Sequence, residues 1–542
     1  MVVDYKLHSK MKKFNLYILT ILVWFGSSCS DEFLSTDPTG EFLEDNYYQT
    51  EDQLFKALIA AYDPMAWTFP NGRWTSNVML GEIRSDNANA GGDPSDADQP
   101  GWQQIDDFTN DALTGESESF WKKGWHGIYR SNLVINNSNV ESTLATIYKG
   151  EAKFLRAYYH FNLFNIFGPI PISDHVLAAS EYTSDVTARK SVSELFQFME
   201  TDLLEAIEVL PQAKYSGGSA GRVSKTTAQA LLGKIYLYWA DIVNDDPAIF
   251  NKAAAVLQEV INSGQYMLLE DYNDLFAFGA KNTDESVFEI QYTNLVPADW
   301  GGAEFIDGNM ITQLCGVRGL CATHPEYIEG WGFMLPTENL YSSYLSDDTY
   351  RRDATIISEA ELTAASCNVD MSQQNLIDFE GYWQQKYANY SSYSNPNGGD
   401  INLQKDPNEP VIRYADVLLM AAEALHRGSG NDAQAQIYID LVRERAAGPT
   451  ATSFRNSSQV MADEGWSMLD LIRYERRMEL AGEGDRWFDL VRSGRATPSL
   501  FDANDPRSGQ LDPAKVYLAI PQKDIDNTAG QLTEYPDNSL FN

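Results

Sequence analysis

The feature that most constrains this chain is a helical spacing of apolar and small residues that recurs along much of its length. In "ESESFWKKGWHGIYRSNLVINN", Trp121, Trp125, Ile128, Asn132 and Ile135 fall on one helical face. Seven further segments share this spacing: "KGEAKFLRAYYHFNLFNIFG", "SVSELFQFMETDLLEAIEVL", "SKTTAQALLGKIYLYWADI", "FNKAAAVLQEVINSGQY", "YADVLLMAAEALHRG", "DAQAQIYIDLVRERA" and "SMLDLIRYERRMELAGEGDRWFDLVRSG". Helix pairs of this kind cannot bury their apolar faces alone, so they stack. The pattern predicts tetratricopeptide-like packing, although a strict period of about 34 residues is absent.

The predicted fold is therefore mostly α, with little β structure. We place the helices at about 41–63, 118–262 and 410–495, and a separate C-terminal motif at 515–542. Two irregular regions, at about 64–118 and 279–408, interrupt them and are rich in Gly, Asn, Asp, Trp and Tyr. Loops this long inside a folded chain are usually functional.

The N-terminus has the composition of a secretory signal. An apolar run, "FNLYILTILVWF", follows three lysines and precedes Gly26, Ser27 and Ser28. The run is shorter than the roughly 20 residues that a membrane-spanning helix needs. We therefore assign residues 1–28 to a signal peptide, whose translation starts at Met1 or Met11.

Cys29 follows the small residues directly, and "GSSC" resembles a bacterial lipoprotein signal, in which the thiol is acylated and the chain is cut before it. The "SDE" after Cys29 resembles the export tag of surface lipoproteins in Bacteroidetes. Several acyl chains would hold the protein on a membrane. These resemblances imply a lipid-anchored protein of the outer membrane that faces the cell exterior.

The charge of the chain excludes several classes of partner. Its formal net charge is −37, and residues 1–28 carry four Lys and one Asp, so the mature chain from Cys29 would carry about −40. Such a chain repels nucleic acids and anionic lipid surfaces. The charge also argues against an anionic polymer as the ligand.

Three cysteines remain besides Cys29. The loop "CGVRGLC" is short and rich in glycine, so it predicts a disulfide between Cys315 and Cys321 in an exported protein and leaves Cys367 unpaired. The alternative is three reduced thiols.

No motif in the sequence indicates catalysis. The charged stretch "ERRMELAGEGDRWFDL" is interpreted as ion pairs between neighbouring turns of helices that Gly482 and Gly484 interrupt. "GGSAG" at 217–221 lacks the strand and helix that a nucleophile elbow requires. No pair of carboxylates stands out as the acid and base of a glycoside hydrolase. We therefore predict a protein that is not an enzyme.

The sequence also gives little indication of a metal site. Its six histidines are scattered without the spacing of zinc ligands. The acidic loop "SDNANAGGDPSDAD" offers the oxygen ligands that Ca²⁺ prefers, but not in the order of an EF-hand. We expect no cofactor, with calcium at this loop as the alternative.

Aromatic side chains in the two irregular regions are the candidate ligand contacts. Indole and phenol rings give flat apolar surfaces for the C–H faces of a sugar, and amides and carboxylates bond its hydroxyl groups. Trp102, Trp300 and Trp331 are favoured because each lies next to glycine. The full set of candidates is Trp74, Asn77, Asp86, Asn87, Trp102, Trp300, Tyr327, Trp331 and Trp383.

Five stretches resemble the SusD/RagB family of surface lipoproteins, and they span most of the chain after Cys29. They are "GEAKFLRAYYHFNLFNIFGPIPI", "GRVSKTTAQALLGKIYLYW", "VIRYADVLLMAAEAL", "LDLIRYERRMELAGEGDRWFDLVRSG" and "YLAIPQKDIDNTAGQLTEYPD". The resemblance implies that residues 29–542 form one SusD-like domain. That domain would have about four tetratricopeptide-like helix pairs and a loop-rich part that carries the ligand site.

The same resemblance implies a function at the cell surface. Members of the family bind glycans and act as a lid over a SusC-like TonB-dependent transporter of the outer membrane. We expect a neutral glycan as the ligand, and no contact with the membrane except through the lipid anchor. A peptide-binding member of the RagB type and, less favoured, a surface glycoside hydrolase are the alternatives.

Overall fold

The computed structural model describes residues 47–534, apart from 96–98, 138, 244, 302–305, 365–368, 371–374, 502 and 504. The predicted signal peptide, the predicted lipidation site at Cys29, Cys367 and the last residues of the C-terminal motif lie outside the described residues.

The described part of the chain is mostly helical, as predicted. Within it, none of the helices combines the length and the apolar character that crossing a bilayer requires. The helices are α1 Glu51–Tyr62, α2 Asn77–Ile83, α3 Pro100–Asp106, α4 Gly115–Asn136, α5 Thr143–Phe167, α6 Val192–Val209, α7 Lys225–Ile242, α8 Pro247–Asn262, α9 Ile311–Cys315, α10 Glu338–Ser343, α11 Thr349–Asp353, α12 Glu359–Ala364, α13 Tyr414–Gly428, α14 Asp432–Ala446, α15 Ser457–Glu464, α16 Met468–Leu480, α17 Arg486–Arg492 and α18 Gln522–Asn527.

The long helices pack on one another in succession, from α4 on α5 to α13 on α14. Their ends follow local chemistry: the Ser191 and Ser224 hydroxyls cap α6 and α7, and α5 ends at Gly168, whose φ is 71°. Glycines let neighbouring helices approach closely. A Cβ atom on Gly127 would lie 2.2 Å from the ring of Tyr159, so α4 and α5 meet where the side chain is absent.

Among the described residues, six short strands form three antiparallel pairs within or at the edge of the irregular regions. They are β1 Ala88–Gly91, β2 Ser286–Ile290, β3 Phe333–Pro336, β4 Ile356–Ser358, β5 Tyr382–Gln384 and β6 Glu409–Arg413. The pairs are β1 with β3, β2 with β6 and β4 with β5. Ala88 lies opposite Pro336, and Gly91 lies opposite Phe333. The β1–β3 pair therefore joins the first irregular region to the second, although about 240 residues separate them in the chain.

A buried group of charges joins the helices to the loop-rich part, and we call it the charge core. Its side chains are at most 5% exposed. It consists of Arg351, Lys386, Arg413, Arg443, Arg445, Glu285, Asp348, Glu475, Glu479 and Glu483. Five cations thus face five carboxylates, so the cluster is neutral as a whole.

The sequence correctly indicated that "ERRMELAGEGDRWFDL" is structural, but the predicted geometry of its ion pairs was wrong. Glu479 of α16 accepts hydrogen bonds from Arg413 and Arg445, which lie 66 and 34 residues away. Arg476 bonds Asp416 and Asp489 rather than a neighbour one turn away. The charges of α16 point inward because other elements supply their partners.

The predicted disulfide between Cys315 and Cys321 is also wrong. Cys315 is a free thiol at the end of α9, and it is fully buried. Burial raises the pKa of this thiol above its ordinary value. Cys321 is disulfide-bonded, and its partner lies outside the described residues.

Candidate functional site

Three tryptophans from distant parts of the sequence meet in the loop-rich part, and we call them the indole platform. The ring centroids of Trp300 and Trp331 lie 6.0 Å apart with an interplanar angle of 27°, so these indoles are stacked. Trp74 lies 6.2 Å from Trp300 and 6.0 Å from Trp331. Trp300 is 47% exposed, Trp331 is half-buried and Trp74 is 2% exposed. The platform therefore has an accessible face that rests on a buried floor.

Trp300 is held in place by a neighbouring loop. Its Nε1 donates a hydrogen bond of 2.6 Å to Oδ2 of Asp400, and the amide of Asp400 donates to the carbonyl of Ala298. Gln404 donates from its side chain to the carbonyl of Val296. Because these bonds tie the segment before Trp300 to the loop that contains Asp400, the exposed indole keeps a defined orientation.

Trp331 is fixed by close contact between two glycine-rich segments. A Cβ atom on Gly330 would lie 2.4 Å from Cα of Gly316, a distance that no side chain tolerates. The amide of Gly332 donates to the carbonyl of Gly316, and the amide of Trp331 donates to the carbonyl of Gln313. Gly330 and Gly332, which made Trp331 a favoured candidate in the sequence, therefore allow the backbone beneath the indole to pack closely.

Trp74 forms the floor of the platform together with Phe69. The two rings lie 4.1 Å apart, and Phe69 is itself only partly buried. The indole nitrogen of Trp74 is buried and has no hydrogen-bond partner among the described residues. Trp74 thus supports the platform through apolar contact.

Two of the predicted ligand residues are fully buried, and we correct their assignment. Trp102 and Trp383 each have 0% exposure. Trp102 of α3 packs edge-on against Phe120, and its neighbour Gly101 lies against Glu116. The glycine therefore allows α3 to settle onto α4 and bury the indole, instead of leaving it exposed. Trp383 of β5 packs against Phe379.

Asp86 and Asn87 are also structural. Both carboxylate oxygens of Asp86 accept hydrogen bonds from Arg486, at 2.7 and 2.8 Å. Burial acts to raise the pKa of Asp86, but the guanidinium groups of Arg477 and Arg486 outweigh it and hold this pKa well below its usual range. Asn87 donates to Glu82 and accepts from Arg477, so both residues have their partners inside the protein.

The remaining two candidates lie apart from the indole platform. Tyr327 lines a cavity of about 360 Å³ with Phe278 and Tyr390, and its hydroxyl accepts a hydrogen bond from Gln385. Asn77 lines a smaller cavity of about 70 Å³ beside Lys234. The structure thus brings together Trp74, Trp300 and Trp331 from the predicted set.

Sequence reasoning missed Asp400 and Phe69, which orient and support the indoles. The sequence around Asp400 indicates a turn, because Asp400 follows "NPNGG". In the structure its side chain accepts a hydrogen bond from the amide of Asn402 at the start of a short 3₁₀ helix. This local pattern does not reveal that the second carboxylate oxygen of Asp400 accepts a hydrogen bond from the indole of Trp300, 100 residues away.

The chemistry available on the platform is recognition of a flat, apolar surface. Among the described residues there is no group of three or more His, Cys, Asp or Glu side chains that could hold a metal ion. Calcium at the acidic loop stays a prediction, because part of that loop lies outside the described residues. Exposed stacked indoles favour ligands with flat C–H faces.

Comparison with known proteins gives the family. Residues 285–537 match the model of the SusD family, and residues 41–237 match a model described as "Starch-binding associating with outer membrane". A SusD-like protein, P2, of Formosa agariphila is 30% identical over 501 residues, which is 89% of this chain and 91% of the relative. This chain belongs to the SusD family. The resemblance seen in the sequence is therefore confirmed.

Solved structures support the same fold for this SusD-family protein. A laminarin-binding SusD-like protein is 31% identical with a TM-score of 0.74, and the match covers 90% of this chain and all of that one. Surface glycan-binding protein A from Bacteroides thetaiotaomicron, in complex with laminarihexaose, is 27% identical with a TM-score of 0.76 and is covered over 99% of its length. The predicted mostly α fold with a tetratricopeptide-like scaffold is thus confirmed.

Proposed function

We propose that this SusD-family protein binds a neutral glycan on the indole platform. The observation that carries the proposal is the convergence of Trp74, Trp300 and Trp331, with Trp300 about half exposed and hydrogen-bonded to Asp400. Stacked indoles present the apolar surface that sugar rings contact. The laminarin and laminarihexaose named for the similar structures support a glucan as the first ligand to test.

The net charge of −37 supports a neutral rather than an anionic glycan. A shallow platform of this size would bind weakly, with a Kd of about micromolar to millimolar, or about −4 to −8 kcal/mol. Tethering beside a transporter would offset this weakness by raising the effective concentration of the captured glycan.

The protein would act at the outer face of the outer membrane. Cys29 would carry the lipid anchor, and a SusC-like TonB-dependent transporter would receive the glycan. The description of the matched family model, which associates its members with the outer membrane, supports this placement. The protein would have no catalytic role in the uptake.

Substitution of the exposed indoles tests the platform. We expect Trp300→Ala and Trp331→Ala each to weaken retention in affinity gels that contain laminarin, and to raise the Kd for laminarihexaose in calorimetry. A single lost stacking contact costs about 1–2 kcal/mol, or about five- to thirtyfold in Kd. The control is Met267→Ala, because Met267 is 59% exposed and lies outside both the platform and the cavity at Tyr327.

Several outcomes would contradict the proposal. Unchanged retention in both tryptophan variants, across a panel of neutral glucans, would remove the platform as the site. Peptides that copurify with a protein that binds none of the glycans would favour the peptide-binding alternative. Release of sugar by the pure protein from any polysaccharide would show that it is an enzyme.

The anchor and the partner need separate experiments. We expect a fatty acid with an alkyne group to label the wild-type protein in its host and not the Cys29→Ala variant. Equal labelling of both would exclude an anchor at Cys29. Mild detergent extraction followed by affinity purification should recover a SusC-like transporter, and its repeated absence would argue against that partner.

A further inference from the structure

A second aromatic pocket lies on the helical side of the molecule, and we call it the helix pocket. It has a volume of about 420 Å³, within the range of roughly 300–1,000 Å³ that is usual for ligand sites. Its walls come from α4, from the segment 171–187 and from α18 with the residues after it. It shares no lining residue with the indole platform.

The walls of the helix pocket are aromatic. Trp121 and Trp125 lie one turn apart on α4, with ring centroids 5.4 Å apart. Trp121 is 5% exposed and forms the floor of the pocket, whereas Trp125 is half-buried. Tyr129 and Tyr182 line the same pocket and are 44% and 49% exposed. Large aromatic side chains that remain half exposed and cluster at one cavity form an apolar patch of the kind that ligands contact.

The charges around the pocket cancel. Lys122 and Lys523 line it together with Glu118 and Asp524. Burial, together with the positive charge of Arg130 and Lys122, lowers the pKa of His126, so this lining residue is neutral at pH 7. His175 also lines the pocket, but its hydrogen bonds to Asp174 and Glu181 compensate its charge, so charges of both signs surround the pocket. Hydroxyl and amide groups of Ser173, Thr187, Asn527 and Thr528 also line it.

The wall formed by 171–187 is held in place by hydrogen bonds to the helices behind it. Asn132 of α4 donates to the carbonyls of Ser173 and His175, at 3.2 and 3.0 Å. Arg156 of α5 donates to the carbonyl of Asp174 at 2.9 Å. A pocket that is already formed binds its ligand without the entropic cost of ordering the wall.

We propose that the helix pocket is a second carbohydrate site, which takes a neutral sugar chain end or short oligosaccharide between Trp121, Trp125, Tyr129 and Tyr182. Aromatic faces, uncharged polar groups and balanced charges match a ligand with flat C–H faces and many hydroxyl groups. The inference rests on the proposed function in one respect, namely that glycans are the ligands of this protein. It adds a capture point on the helical scaffold, away from the indole platform.

Fluorine NMR of the full chain labelled with 5-fluorotryptophan separates the two sites, since each has its own tryptophans. Single Trp→Phe substitutions assign the resonances. We expect laminarihexaose, or a glucose oligomer of another linkage, to shift the signals of Trp121 and Trp125 in the wild-type protein and also in the Trp300→Ala/Trp331→Ala variant. In that variant background, Tyr129→Ala/Tyr182→Ala should raise the remaining Kd by about tenfold, equivalent to about 1.4 kcal/mol.

The outcomes distinguish this inference from the proposed function. Shifts at Trp300 and Trp331 without shifts at Trp121 and Trp125 would overturn the second site alone. Shifts at Trp121 and Trp125 alone would support it and overturn the platform. No shift at either site with any oligomer would overturn both. Because Tyr129 and Tyr182 are about half exposed, their removal should preserve the dispersion of the fluorine spectrum, which checks the fold.

Discussion

The charge core and the indole platform differ in both charge and exposure to solvent. The charge core holds ten ionisable side chains, each of which is at most 5% exposed. The indole platform has no charged member, and Trp300 is 47% exposed. Charges that are paired and buried can position elements but cannot reach a ligand. The partly exposed rings of Trp300 and Trp331, held by the backbone around them, can reach a ligand.

The largest effect is expected from breaking the charge core. Glu479→Gln keeps the size of the side chain but leaves Arg351, Arg413 and Arg445 without their shared carboxylate. Burial acts to raise the pKa of Glu479, but these guanidinium groups outweigh it and hold this pKa at about 2. Loss of one buried partner should lower the free energy of unfolding by about 3–5 kcal/mol, measured by urea denaturation at pH 7.

The control for this experiment is an ion pair at the surface. Lys56 and Asp52 are bonded at 2.7 Å, with side chains 64% and 72% exposed. We expect Lys56→Ala to leave the urea midpoint unchanged, because water and salt screen such pairs. A midpoint for Glu479→Gln that equals that of the control would show that the charge core does not stabilise the fold.

A second comparison uses two glycines that each adjoin a platform tryptophan. Gly330→Ala would place a Cβ atom 2.4 Å from Cα of Gly316, whereas a Cβ atom on Gly301 meets nothing within 4 Å. We expect Gly330→Ala to destabilise the protein by about 1–3 kcal/mol and to weaken glycan binding, because Trp331 must move with its backbone. Gly301→Ala should behave as wild type in thermal unfolding and in calorimetry with laminarihexaose. Normal binding by Gly330→Ala would show that the backbone contact does not position the indole.

The sequence was sufficient for the parts of the fold that local chemistry determines. Helix α5 ends at Gly168 and α6 ends before Pro211, two residue types that commonly terminate helices. From the sequence, the tryptophans of the platform could be named only among several candidate residues, because the exposure of each side chain depends on tertiary contacts. Trp102 and Trp331 both adjoin glycine, yet Gly101 lets a helix settle and bury its indole, while Gly330 packs two loops beneath an accessible one.

The partners of the buried ion pairs and the state of Cys315 also depend on tertiary contacts, so the sequence did not predict them. The partners of Glu479 lie on β6, α11 and α14, and the spacing of charges along α16 does not reveal them. Cys315 is buried by the packing of α9, which a Gly-rich loop of seven residues did not indicate.

A smaller effect is expected at the bond that orients Trp300. Asp400→Ala removes the acceptor of the indole N–H, which lies 2.6 Å away. We expect the Kd for the glycan to rise by a few fold, or about 1 kcal/mol, because the indole loses its fixed orientation but stays in place. Asp400→Asn keeps an oxygen acceptor and should bind nearly as wild type. Equal loss of binding in both variants would indicate that the carboxylate itself contacts the ligand. Calorimetry on both proteins makes the distinction.

The smallest effect concerns the wall of the helix pocket and its dependence on pH. His175 lies between Asp174, at 2.6 Å, and Glu181, at 3.0 Å, and these hydrogen bonds raise its pKa above the ordinary value of 6.5. The protonated ring therefore stabilises the segment fully below about pH 6.5, and this contribution is lost as the pH rises through the raised pKa. Hydrogen exchange of the amides in 171–187, corrected for the intrinsic rate, should show more protection at pH 6 than at pH 9. The His175→Gln variant should lose this difference, whereas an unchanged difference would exclude His175 as its source.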